Sequence, residues 1–116
     1  MRYLILIHSQ EGGWAQLDGA EQQRWMQAYT DYVTDLRQRD KLVESGQLGL
    51  SATGKQVSVA PDGKRSVVDG PFADTKEQIG GFFLIEAKTE AEAIDIAAAC
   101  PGARHGRIEL RQLFAR

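Results

Sequence analysis

Residues 81–87 read GFFLIEA, and residues 2–8 read RYLILIH. Neither run alternates apolar with polar residues. Both are short, rich in Phe, Leu, Ile and Tyr, and bounded by turn-forming or polar residues, which predicts two strands, Arg2–His8 and Gly81–Ala87. Successive side chains of a strand point to opposite faces of its sheet. A run that is apolar at every position therefore asks for cover on both faces. That demand decides the architecture, and the rest of the chain shows how much of it can be met from within.

Between the two runs lies one long helical pattern. Asp18 can cap it, with Glu21 three residues on in a capping-box arrangement. Trp25, Ala28, Tyr29, Tyr32, Val33 and Leu36 then fall on one stripe, ending near Arg39. Residues 43–50 read as a second strand. Residues 56–59 and 65–69 form a hairpin around Pro61-Asp62-Gly63. After Ala87, Thr89 and Glu92 repeat the capping pattern before an Ala-rich helix over Ala91–Cys100, stopped by Pro101 and Gly102. Arg107–Phe114 is the last strand. The order matches a ferredoxin-like split βαβ with an inserted β-hairpin: an antiparallel α+β sheet with two helices on one face, in a single domain spanning 1–116. Right-handed crossovers place both helices on the same side of the sheet. The opposite face is left uncovered, and the simplest cover is a second copy, so a homodimer packed sheet to sheet is expected. The rival reading is a monomer with an open apolar face.

Strand direction can be followed by parity. Taking the His8 end of the first strand as the top, Asp69 finishes there and Gly80 starts there. One rim thus gathers His8, the Trp14 loop, the 69–78 connector and Arg104-His105, where a small-molecule pocket is expected. The connector, DGPFADTKEQIG, is longer and more charged than a hairpin turn requires. Asp69 has two readings, a turn residue bonding its own backbone or a carboxylate poised as a general base. Lys76 and Glu77 are either solvated charges or a buried pair holding each other ionised. His8 offers acid–base chemistry near neutral pH, or simply closes the end of a strand. Pro71 stiffens the turn and Phe72 is an anchor or a pocket wall. Trp14 staples the first helix or covers the rim as a lid. Arg104, His105 and Arg107 compensate a helix C-terminus or clamp an anion.

The bulk numbers narrow the function. The 116 residues are 42% hydrophobic and 26% charged, with net charge −2, the profile of a globular domain without a nucleic-acid surface. No stretch reaches the length of a membrane span, and the opening lacks a cleavage-site pattern, so a cytoplasmic location is expected. One cysteine and two histidines offer no metal site, and no phosphate-binding glycine loop, dinucleotide fingerprint or nucleophile elbow is present. Proton transfer with no cofactor, or simple binding, is what remains.

The run 69–86, DGPFADTKEQIGGFFLIE, closely resembles the signature of the YCII-related proteins of the DGPF type, typically DGPFAETKEQLGGFYLIE. The likeness extends to the opening MRYLILI and the close PGARHGRIELRQL. It implies a ferredoxin-like subunit of a dimeric α/β barrel, relatives suspected to be small-molecule enzymes, and a His–Asp pair proposed for acid–base work in the YCII-like branch. It also implies a genomic context beside extracytoplasmic-function sigma factors, hence a regulatory or stress setting. Asp74 stands where the family usually has Glu, and His8 where related chains commonly carry an aromatic such as Tyr. Two functional expectations follow, beside a purely structural one in which the connector locks the dimer interface and does nothing else. One is a cofactor-free lyase or isomerase in which Asp69 or Glu77 moves a proton, Lys76 steadies negative charge and Phe72 with Trp14 shields the site. The other is a non-catalytic ligand-binding or regulatory module.

Overall fold

The computed structural model describes residues 1–71 and 77–114. Its elements run β1 (Arg2–Ser9), α1 (Gly13–Gln16), α2 (Gly19–Gln38), β2 (Leu42–Gln47), β3 (Lys55–Val59), β4 (Arg65–Asp69), β5 (Gln78–Glu86), α3 (Glu90–Ala98), α4 (Gly102–His105) and β6 (Arg107–Gln112). Four strands form one antiparallel sheet in the order β2-β5-β1-β6, the ferredoxin-like arrangement, while, among the described residues, β3 and β4 pair only with each other. The inserted hairpin is thus an arm, not an extension of the sheet.

The two long helices start as the side chains at their caps dictate. Asp18 Oδ1 accepts from the Glu21 amide at 2.8 Å, and Thr89 Oγ1 from the Glu92 amide at 3.1 Å. Neither capping box closes in the reciprocal sense. Glu92 instead accepts from the Lys88 amide and meets Lys41 Nζ at 2.7 Å, pinning α3 to the strand entry after α2. Two further short helices, α1 and α4, occupy stretches whose glycines and proline read as helix breaks. Pro101 sits at the N-cap of α4, where its missing N–H costs nothing.

The helices cover one face of the sheet, as the handedness argument requires. Tyr3, Ile5, Phe83 and Ile85 on that face pack with Tyr32, Leu36, Ala93, Ile96, Ala97 and Cys100 to make the core. Tyr32 carries its hydroxyl into this core by donating to the Ile96 carbonyl at 2.7 Å, and its ring meets Phe83 edge-on. Burial drives the Tyr29, Tyr32 and Cys100 side chains towards their uncharged forms, raising the pKa of each.

The other face carries Leu4, Leu6 and His8 of β1. Their cross-strand partners are Leu84, Phe82 and Ile79 on one side, and Arg111, Glu109 and Arg107 on the other. Among the described residues, no element lies over this apolar centre, and Leu4, Leu6, Phe82 and Leu84 remain only half-buried. The molecule is accordingly a slab, 49 × 44 × 19 Å, with one helix layer on one sheet.

Candidate functional site at the upper rim of the sheet

Strand register brings several of the predicted residues to one end of the molecule. His8 lies opposite Arg107 of β6 and Ile79 of β5, and Ser9 opposite Gln78. Directly opposed residues share a face, so His8 and Arg107 both project from the uncovered side. Gly106 makes this end tight. A Cβ built there would stand 2.1 Å from the His8 carbonyl oxygen, so only a residue without a side chain lets β6 close on β1 at this point.

His8 is half-buried, and its Nε2 stands 3.3 Å from Glu109 Oε1. Glu109 also bonds Arg111. The Arg111 hydrogen bond first, and the His8 bond after it, hold the Glu109 carboxyl below the usual carboxylate range. An ionised carboxylate only accepts, so Nε2 carries the proton in this pair, and in the neutral ring Nδ1 keeps its lone pair. Sequence reasoning missed Glu109. Its signal was strand parity: in register, it is the neighbour of Leu6 on the face that also holds His8.

Glu77 comes to the same rim. Its Oε1 accepts from Arg107 Nε at 3.1 Å. Together with Gln10, Arg104, His105 and Gly106, these two residues line a cleft of about 420 Å³, within the ordinary range for small-molecule sites. The His105 ring lies against Trp25, centroids 3.7 Å apart, and Trp14 meets Trp25 edge-on at 6.4 Å. Gln22 of α2 donates to the Trp14 carbonyl. Trp14 is therefore held against the start of α2.

Asp69 goes elsewhere. It ends the arm, where Lys55 Nζ bonds its Oδ1 at 2.5 Å and the Gly70 amide bonds the Gly54 carbonyl. A His8–Asp69 pair, implied by the family resemblance, is not made within the chain: the carboxylate beside His8 is Glu109. Counting strand direction assumed that β4 belongs to the main sheet, whereas it pairs with β3 in a separate ladder. Pro71 follows Asp69 after a cis Gly70–Pro71 peptide. Lys76 and Phe72 lie outside the described residues. A second cleft of about 400 Å³ opens at the foot of the arm, lined by Leu48, Leu50, Thr53, Gln78 and Ile79 among others. Beside it, Glu11 accepts from both the amide and the hydroxyl of Ser51, clasping the loop after β1 to the loop before the arm. Among the described residues, no three His, Cys, Asp or Glu side chains cluster as metal ligands.

A half-covered ferredoxin-like sheet with acid–base and guanidinium groups at one end defines the class: a small α+β domain built on an antiparallel ferredoxin-like sheet. The chain belongs to the YCII-related family, whose domain matches residues 1–115. It is 34% identical over 120 residues to an uncharacterised protein of Rhizobium meliloti strain 1021, covering 97% of this chain and 92% of that protein. Among solved structures, it resembles the 5-chloro-2-hydroxyhydroquinone dehydrochlorinase TftG of Burkholderia phenoliruptrix, solved in complex with 2,5-dihydroxybenzoquinone. The two share 15% identity with a TM-score of 0.55, over 98% of this chain and 94% of that one. At that identity the likeness speaks for the fold.

Proposed function

We propose that this YCII-related protein is a cofactor-free acid–base enzyme of the lyase or isomerase kind, acting on a small polar or aromatic metabolite. The observation that carries the reading is the His8–Glu109 pair on the uncovered face. Glu109 fixes the ring and its tautomer, leaving Nδ1 to take a proton from substrate and return it. Arg107 and Arg104 at the adjoining cleft supply positive charge for an oxyanion or enolate that develops as the proton leaves. Glu77 orients Arg107. A second copy laid on the Leu4, Leu6, Phe82 and Leu84 face encloses His8 and removes it from bulk water. That homodimer belongs to the same proposal. The structural neighbour is a dehydrochlorinase, so a fold of this kind is compatible with such chemistry; the likeness assigns neither reaction nor substrate to this chain.

The second reading, a binding module without turnover, is favoured by a different observation: the rim cleft gathers Arg104, Arg107 and the Trp25-stacked His105, groups suited to holding a planar anion. One experiment separates the two. A metabolite library is screened by thermal shift on the wild type and on His8→Gln, and every hit is followed for chemical conversion. The enzyme reading expects a compound that stabilises both proteins but is converted at least ~10²-fold more slowly by the variant. A hit that binds both and is converted by neither establishes the binder.

A further inference from the structure

The arm formed by β3 and β4 is a two-stranded ladder with, among the described residues, no strand pairing to the main sheet. Such a ladder is marginal in water unless something packs on it. Register sorts its side chains. Val57 opposes Val67, Val59 opposes Arg65 and Lys55 opposes Asp69, so these six share one face, while Gln56, Ser58, Ser66 and Val68 share the other. The first face has an apolar centre, and the chain leaves it bare: Val57, Val59 and Val67 are 60%, 66% and 55% exposed. The radius of gyration, 16.6 Å, exceeds the roughly 13 Å of a compact domain this size, as an extended arm requires.

The charges around that centre are arranged symmetrically. Along β4, Arg65 lies two residues before Val67 and Asp69 two residues after it, on the same face and opposite in sign. A two-fold axis through the Val57–Val67 pair, crossing the strands, lays a second arm over the first with tip against foot. Val57 and Val67 then meet their own counterparts, Val59 lies over the stem of Lys55, and Arg65 of each copy faces Asp69 of the other. Arg65 has no ion-pair partner among the described residues, so it is available for this contact. The alternative, strands laid foot to foot, brings the two slabs side by side and leaves Arg65 unused. We propose that the arm is an isologous docking element, and that its occupant is the arm of a second copy of this chain. This contact is separate from the sheet-to-sheet pairing and does not depend on any catalytic reading.

The test reads the arm directly. Val57→Cys is treated with a short bis-maleimide, the native Cys100 being buried, and Ser58→Cys on the opposite face is treated identically. The expected result is a covalent dimer from Val57→Cys at several-fold higher yield than from Ser58→Cys. Adding Arg65→Glu, or separately Asp69→Lys, to Val57→Cys lowers that yield several-fold. Mixing the two charge variants restores it, because the glutamate introduced in one copy then faces the lysine introduced in the other, while the native Arg65–Asp69 pair survives across the axis. Equal yields from the two cysteine sites overturn the proposal, as does cross-linking indifferent to the charge changes. Because the sheet face is untouched, failure here leaves the sheet-to-sheet homodimer standing.

Discussion

β5 and β4 look alike as sequence, since each has neighbouring apolar residues between turn signals. Their fates are opposite. Ile85 of β5 is fully buried, whereas Val67 of β4 is 55% exposed. Strand propensity is the same in kind for both; what differs is cover. β5 lies between β2 and β1 with α2 and α3 over one face, while β4 has a single neighbour and, among the described residues, nothing above it. Forming a strand is a local matter, and burying one depends on what arrives from elsewhere in the chain or from another chain.

The largest expected effect breaks the comparison at its centre. Ile85→Ala should destabilise the fold by about 2–5 kcal/mol, the range for an aliphatic cavity in a packed core. Val67→Ala, measured in chemical denaturation at concentrations too low for association, should stay within about 0.5 kcal/mol of the wild type. Equal losses at the two sites mean that the arm is buried against its own chain.

Glycines sharpen the same contrast at a smaller scale. Gly106 is required by neighbours, because a Cβ would strike the His8 carbonyl, whereas nothing stands within 4 Å of a Cβ at Gly63 in the arm turn. Gly63 is required by its own backbone, at φ 87°. Gly106→Ala is expected to cost about 1–3 kcal/mol as β6 is pushed from β1, visible as faster amide exchange along the β1–β6 ladder. Gly63→Ala is expected to cost about 1–2 kcal/mol through left-handed strain alone, with that ladder unchanged.

The smallest effect concerns acid. Glu92, whose carboxyl is held below the usual range first by its hydrogen bond to Lys41, braces the covered side of the sheet. A depressed folded-state pKa contributes stability at neutral pH. That contribution begins to fade near the ordinary glutamate value of about 4.3 and is gone once the pH drops below the folded value. Glu92→Gln should therefore flatten the acid limb of the denaturation profile. In the arm, the Lys55–Asp69 pair is solvent-exposed, so Asp69→Asn should change stability at neutral pH by less than about 1 kcal/mol.

The sheet and its helices were legible because their signals are local or nearly so. The stripe from Trp25 to Leu36, the caps at Asp18 and Thr89 and the consecutive apolar residues of β1 and β5 each act within a few positions, and handedness supplied the covered face. Two parts were not legible. Whether β4 joins the main sheet depends on the connections at 48–54 and 70–77, whose sequences carry no register signal, so parity alone could not pair Asp69 with its partner. The carboxylate that meets His8 comes from β6, 101 residues away along the chain. Only the relative register of two distant strands brings Glu109 to that spot. Short helices were missed for another reason: Gly13, Pro101 and Gly102 break long helices, yet they permit a single turn.

The core also holds a thiol. Cys100 is the chain's lone cysteine and sits sealed beneath the sheet, 1% exposed, its ionisation opposed by burial. Alkylating reagents attack the thiolate, so they can reach this sulfur only when α3 lifts from the strands. The protein thus carries its own clock for breathing of the helix layer, readable without adding a label and silent towards movements of the arm.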